Sequence, residues 1–485
     1  MGCILRLTKN HVEVLSYQTS PNTMFMKTLR GKEQNLDTER TNEALKRANG
    51  FKAERHLGRW IMLLENEFSI YDFIYAISET LDLASPTLSH HHHKVGYIAY
   101  LLGRQMQLPA SEVHDIVIAA LLHDIGAFSL NDRLDMINIT SIDTDVNQHS
   151  IIGYKLLSGI DLLYKPAEMI LYHHADYSKN KDRVPLGSYV LHLADRIAVL
   201  LDEKKEIFIQ LTLVRDKLHD KSPSYHPEVL KAFDELTDLV HVWIDLFSPS
   251  IGYTVIQNIA TSQKVNGLDA MIEFVKVLAQ IIDFRSRFTA THSSGVAAVA
   301  KEITTISGFS AREVKLMEIA GYLHDIGKLA VPNSILEKPA KLDVEEMNIV
   351  KKHTYYTYSI LKKINGMDVV ATWAAYHHER LDGKGYPFHI KGDDFSKLAR
   401  IMAVADIMTA LTEDRPYRAG MDKDEALQIL LSMVKDQAID ESIVRLVQEN
   451  YGRINEVRIK AQTEALSEYE AFFDISTLER FGFAA

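Results

Sequence analysis

Cysteine is all but absent: the only one among 485 residues is Cys3. That excludes a disulfide framework and any thiolate metal site. Long apolar runs are missing too. No stretch reaches the roughly 18 consecutive apolar residues that a membrane-spanning helix needs, and MGCILRLTKN lacks the apolar core of a secretory signal. Met1-Gly2-Cys3 invites comparison with an acylation signal, but Arg6 stands where that pattern takes Ser or Thr. Positive charge is in deficit, with 54 Lys and Arg against 65 Asp and Glu and a net charge of −11. This argues against wholesale binding to polymeric nucleic acid or an anionic membrane and leaves room for a local basic pocket. The expectation is a soluble cytoplasmic protein. Its 46% hydrophobic and 25% charged residues are those of an ordinary globular chain, long enough for two or three domains.

What the chain does contain is an ordered set of histidines and aspartates, twice. The second half has His292, His324-Asp325, His353, His377-His378 and Asp406; the first has His91, His123-Asp124, His149, His173-His174 and Asp195. From Phe73/Phe274 through Asp82/Asp283 and Val95/Val296 to Gly126/Gly327 the offset is constant at 201. It becomes 204 at His149/His353, still holds at Tyr154/Tyr358 and Leu157/Leu361, and is 211 at Asp195/Asp406. Chance scatters histidines; it does not repeat seven positions in order. The tetrad His90–His93 offers four candidates, of which His91 holds the register of His292.

Helical periodicity dominates both copies, and β-alternation is hardly visible. SEVHDIVIAALLHDIG and AREVKLMEIAGYLHDIG begin with helix-start residues and end at glycine. The spacing predicts an all-α fold of two tandem helical bundles. Residues 1–65 form a lead-in region without strong periodicity, 66–245 the first unit, 246–266 a connector rich in Pro, Ser, Gly and Asn, 267–440 the second unit, and 441–485 a helical tail with an apolar end.

The residue types point to metal. Adjacent His and Asp on a helix project about 100° apart, and a carboxylate with two oxygens can bridge two ions while imidazoles fill the remaining positions. Ligands from separate helices converge inside a bundle in known two-metal sites. Imidazole with carboxylate suits Fe, Mn, Zn, Ni or Co better than Mg or Ca. Two such ions activate water and clamp a phosphoryl oxygen, which is equipment for phosphoester hydrolysis.

The segments THSSGVAAVAKEI, GYLHDIGKLAVPNSILEKPAKL, KKHTYYTYSILKKI, AAYHHERLDGKGYP and ARIMAVADIMTALTEDRPYR resemble an HD-GYP domain, a branch of the HD phosphohydrolase superfamily, over residues 285–435. The signature stands as His324-Asp325-Ile326-Gly327-Lys328 and Gly385-Tyr386-Pro387. The resemblance implies hydrolysis of a 3′-5′ phosphodiester in c-di-GMP or 3′,3′-cyclic GMP-AMP to the linear 5′-phosphorylated dinucleotide. It implies one metal on His292, His324, Asp325 and Asp406 and a second on Asp325, His353, His377 and His378, with Asp325 bridging. Lys328 would stabilise the scissile phosphate, and Gly385, Tyr386, Arg415 and Arg418 would contact substrate. Family members that hold a third metal carry glutamate four residues before the first ligand histidine; Phe288 stands there, so two metals are expected.

The first unit is similar to a general HD domain. It keeps every ligand position but has Ala127 in place of the lysine and HHADYSKNKDRVP in place of the GYP loop. Since unpaired buried charge is costly, metal is expected there too, on His91, His123, Asp124, His149, His173, His174 and Asp195. A second activity follows as one hypothesis, a nucleotidase acting on the linear product. The alternatives are a regulatory pseudo-enzyme for the first unit and, for the whole chain, a non-catalytic cyclic-dinucleotide receptor. Diguanylate-cyclase-type proteins are the expected partners of the GYP surface.

Overall fold

The computed structural model describes residues 2–8, 11–20, 23–28, 67–84, 90–127, 148–202, 204–248, 250–259, 265–284, 290–336, 338, 340–414 and 419–472. It divides into two compact units, Met1–Glu65 and Asn66–Ala485. The first contains an antiparallel sheet, β1 (Gly2–Thr8), β2 (His11–Ser20) and β3 (Thr23–Thr28), in the order β1-β2-β3. Leu5 pairs with Val14, and Tyr17 with Met26. This corrects the reading of the first 30 residues as lacking periodicity. Val, Thr and Tyr supply strand propensity there, but apolar residues run together in MGCIL and MFM, which hides the alternation.

Among its described residues the second compact unit is helical apart from a two-residue pairing of β4 (Glu67–Phe68) with β5 (Val265–Asn266). Its first half runs through α1 (Ile70–Ala84), α2 (His91–Gln105), α3 (Ala110–Leu122), α4 (Gln148–Leu157), α5 (Tyr164–Leu171) and α6 (Leu186–Leu200). Helices α7 (Ile207–Asp220) and α8 (Pro227–Thr237) follow. Residues 246–266, expected as a plain connector, contain α9 (Ile251–Ile259), which buries Ile251, Val255 and Ile259 against α2. Its apolar residues at i, i+4 and i+8 are a helical stripe that the flanking Pro and Gly obscure.

The second half repeats the order: α10 (Leu268–Asp283), α11 (His292–Ile306), α12 (Ala311–Leu323), α13 (Val344–Leu361), α14 (Asp368–Ala375) and α15 (Lys397–Thr412). Helix α12 opens on a reciprocal cap between Ser310 and Glu313. The second unit ends with α16 (Lys423–Lys435), and the tail supplies α17 (Glu441–Glu449) and α18 (Tyr451–Phe472), the last packed along α11.

The two halves pack as one body. Phe73 and Phe274 hold the same place in the repeat, and their rings meet edge to face at 5.4 Å. Equivalent residues can meet only where an approximate two-fold axis passes. Reciprocal contacts agree: α1 packs on α13, and α10 on α4. Lys363 pairs with Glu79 at 2.6 Å, and the Asn365 amide donates to Asp72 at 3.3 Å. No described helix is long and apolar enough to cross a membrane.

Candidate metal centres

In the second half the ligands come from five places. His292 opens α11, His324 caps the end of α12, Asp325 leads into a 3-10 turn (Ile326–Ala330), His353 lies in α13, His377 and His378 follow α14, and Asp406 lies in α15. The His-Asp pair therefore stands at a helix end rather than inside it. Gly327 makes the approach of α13 possible: a Cβ there would lie 1.9 Å from the His353 carbonyl oxygen. The Gly327 amide donates to Thr357 Oγ1 at 3.0 Å, and that hydroxyl donates to the His324 carbonyl at 2.9 Å. The sequence H-D-I-G thus clamps α13 against the turn and brings His353 to Asp325. Gly126 does the same in the first half, where a Cβ would lie 2.1 Å from the His149 carbonyl oxygen.

All seven ligand positions converge. His292 Nε2 is 3.2 Å from Asp406 Oδ1. Asp325 faces both groups, with Oδ2 at 3.2 Å from His324 Nε2 and Oδ1 at 3.3 Å from His353 Nε2 and 3.9 Å from His377 Nε2. His353 and His377 hold their Nε2 atoms 3.2 Å apart, and His378 Nδ1 is 3.8 Å from Asp406 Oδ2. The first centre repeats most of these contacts. His91 Nε2 is 3.3 Å from Asp195 Oδ1, and His123 Nε2 and His149 Nε2 are 3.4 and 3.3 Å from the two oxygens of Asp124. His149 Nε2 lies 3.3 Å from His173 Nε2 and 3.1 Å from His174 Nε2.

The donor chemistry fits metal. Nδ1 of His123, His173, His324, His353 and His377 each faces a backbone carbonyl three residues earlier, at 2.6–2.9 Å. Nδ1 must then carry the proton, so Nε2 presents a lone pair to the centre. His324 Nε2 is buried with no hydrogen-bond partner among the described residues. Burial pushes His353 down to about 3 and His378 to about 4, which keeps both neutral. Asp325 is buried, which alone would raise its pKa, yet Lys328 and the surrounding imidazoles hold it well below the usual carboxylate range. Neutral imidazoles around ionised carboxylates are the ligand states that divalent transition metals require.

Several neighbours were not singled out by sequence. Glu413, at the end of α15, lies 3.0 Å from His292 Nδ1 through Oε2 and turns that imidazole toward Asp406. Glu379 follows the His377-His378 pair and accepts the amides of Phe388, His389 and Ile390 at 2.6–3.1 Å, holding the GYP loop. An isolated buried acid gives no periodic signal, and the local hint was only that Glu379 adjoins the ligand pair. In the loop itself, the space a Gly385 Cβ would take is filled by the backbone of Glu379 and Arg380, at 2.4 Å. The Tyr386 ring lies 5.0 Å from the His378 ring, and the Tyr386–Pro387 peptide is cis. Lys328 Nζ is 2.5 Å from Asp325 Oδ2. Arg415, Arg418 and Phe288 lie outside the described residues.

Residues 88–200 and 276–443 each match a family profile described as HD domain. The chain is 30% identical over 421 residues to 3′3′-cGAMP-specific phosphodiesterase 3 of Vibrio cholerae, spanning 76% of this chain and 91% of the relative. It belongs to the HD-domain family. The tandem HD chain is also 27% identical over 408 residues to 3′3′-cGAMP-specific phosphodiesterase 1 of Vibrio cholerae, covering 80% of this chain and 93% of that protein. Its second HD domain, of the HD-GYP type, is 39% identical over 160 residues to the cyclic di-GMP phosphodiesterase response regulator RpfG of Xanthomonas campestris, 33% of this chain and 42% of the relative. A crystal structure of a cyclic GMP-AMP-specific phosphodiesterase from Vibrio cholerae shares the fold, with a TM-score of 0.56, 23% identity, and coverage of 83% and 98% of the two chains.

Proposed function

We propose that the second HD domain opens a 3′-5′ phosphodiester of a cyclic dinucleotide, ending a second-messenger signal, with 3′,3′-cyclic GMP-AMP preferred over c-di-GMP. The observation that carries this reading is Asp325. Its two oxygens face two separate groups of histidines, and Lys328 stands beside it. Two divalent metals held this way would activate water and polarise the phosphoryl oxygens. His292, His324, Asp325 and Asp406 would hold one; Asp325, His353, His377 and His378 the other.

The protein groups then have definite work. Lys328 is a half-buried ammonium whose charge Asp325 sustains, placed to stabilise negative charge on the phosphate. Glu413 fixes the tautomer and orientation of His292. Beside the GYP loop a cavity of about 460 Å³ is lined by Lys351, Lys352, Tyr355, Tyr356, Tyr386 and Pro387, among others. Lys351 sits 5.4 Å over the Tyr386 ring, and Tyr355 is 51% exposed. Aromatic faces with ammonium groups between them suit bases joined by phosphates. The positions at the same register in the first half are Asn147, Gln148, Ile151 and Ile152, without aromatic ring or charge.

Names of relatives support the substrate preference, since the two that span both HD domains are named for 3′3′-cGAMP. The first HD domain, with its complete ligand set and Ala127 in place of the lysine, is read as a metal centre for a smaller phosphoester, the linear dinucleotide product. The nucleotide pool places this work in the cytoplasm, and the GYP surface remains the proposed contact for diguanylate-cyclase-type proteins. The test is product chromatography with Mn- or Fe-loaded protein offered 3′,3′-cyclic GMP-AMP, c-di-GMP and c-di-AMP in parallel. Ring opening of the first at the highest rate is expected; no turnover of any with metal bound would favour a receptor.

A further inference from the structure

The two centres differ at a residue that neither the repeat nor the ligand motif assigns. At the register of His92 the second domain has Ser293, whose hydroxyl donates to Asp283 Oδ1 at 2.9 Å. In the first domain the equivalent carboxylate, Asp82, accepts instead from His92, with Nδ1 to Oδ1 at 2.6 Å and the backbone amide to the same oxygen at 3.2 Å. His92 is 4% exposed, and its Nε2 is buried without a hydrogen-bond partner among the described residues. Burying a polar nitrogen unpaired is unfavourable unless something outside the protein completes it.

The His92 ring stands among the imidazoles of this centre. The His92 ring lies 5.1 Å from the His123 ring and 5.6 Å from the His91 ring. Imidazoles assigned to one metal stand at the same spacing, 5.3 Å for His91–His123 and 5.3 Å for His292–His324. After Asp82, the carboxylates that act most strongly on His92 are Asp124 and Asp195, both of this centre. A proton on Nδ1 held by an acceptor and a buried, unpartnered Nε2 are what His324 shows as well. Carboxylate–histidine–metal is a recurrent device for orienting a ligand and raising its basicity. His93 of the tetrad does different work: it stacks on Tyr75 at 5.1 Å and meets Ser78 Oγ at 3.0 Å through Nε2.

We propose that His92 is a direct metal ligand of the first HD centre, oriented by Asp82. The proposal rests on the reading of the first domain as a metal centre. The metal held by His91, His123, Asp124 and Asp195 then has a fifth protein ligand, where the matching metal of the second domain has four. A more closed, nitrogen-richer site retains its ion and leaves fewer positions for water or substrate. The first domain therefore keeps its metal at concentrations that empty the second, so that ring opening follows metal supply while the first centre stays loaded.

The test uses the full-length chain with the second centre emptied by Asp325→Ala and His353→Ala. Metal is counted after competition with a chelator, and the absorption spectrum of the cobalt(II)-loaded protein is recorded. His92→Ser, which installs the residue of the other domain, is expected to weaken binding of one ion by at least about tenfold and to shift the cobalt bands. Asp82→Asn leaves the imidazole in place and is expected to weaken binding less, which separates loss of a ligand from loss of fold. A folded His92→Ser chain with unchanged affinity and spectrum overturns the assignment while leaving the first metal centre standing. If the emptied chain binds no metal at all, the metal-centre reading of the first domain falls and takes the proposal with it.

Discussion

The two HD domains have diverged around a shared ligand frame, and the differences lie in what surrounds it. Both place an aspartate between histidine groups, with first contacts between 3.1 and 3.4 Å in each. Beside that aspartate the second domain has Lys328 where the first has Ala127. The second has Glu413 behind its first histidine, and the position at the same offset in the first is Asp202, in the loop after α6. A cavity beside the second is lined by tyrosines and lysines, and the sequence of the first has isoleucine, asparagine and glutamine at those registers. The comparison teaches that holding metal and using it on a large phosphodiester are separate requirements. On the proposed reading, seven ligands satisfy the first, and a nearby cation and an aromatic cavity the second.

The comparison can be broken at its sharpest point by removing the cation. Lys328→Ala is expected to lower the rate of ring opening by about 10²–10³, the usual cost of losing one preorganised group at developing negative charge. Steady-state kinetics with unchanged metal content checks it, and a kcat within a few-fold of the parent would show that the lysine is not what separates the domains. Glu413→Gln should weaken metal binding at the second centre by about 10–100-fold without affecting the first, measured by metal content after chelation. Tyr355→Ala is expected to raise KM for the cyclic dinucleotide by about tenfold with kcat little changed, because a stacked base contributes roughly 1–3 kcal/mol.

The smallest effect concerns acid. His353 and His174 are held at about 3 and His378 at about 4 by burial, against an ordinary value of about 6.5. Between those limits the unfolded chain binds protons that the folded chain refuses, so stability is full above about pH 6.5 and falls as pH drops toward 4. Urea midpoints of metal-free protein at pH 7.5 and 5 should show the decline, and a flat profile would contradict the buried neutral imidazoles in both domains.

Much of the site was legible in the sequence because the same ligand spacing occurs twice, and every ligand position read there converges in space. The all-helical bundles were legible for the same reason, through the 3.6-residue stripe of their helices. Three kinds of feature were not. The sheet of β1–β3 and helix α9 lie in segments whose apolar residues run together or sit beside Pro and Gly. Glu413 and Glu379 act through contacts far from any repeat, and only packing shows that they meet His292 and the GYP loop. The contact of Phe73 with Phe274 depends on how the halves dock, and a repeat unit carries no information about the axis that relates it to its copy.

The central claim is that the cyclic dinucleotide is opened at the second centre alone. It is tested most directly by comparing Asp325→Ala with Asp124→Ala in the full-length chain, with 3′,3′-cyclic GMP-AMP as substrate and chromatographic separation of the linear products. The account predicts that Asp325→Ala abolishes ring opening with the helical fold intact, while Asp124→Ala opens the ring at the parent rate and changes only what becomes of the linear product. Ring opening that survives Asp325→Ala, or that disappears with Asp124→Ala, would contradict it.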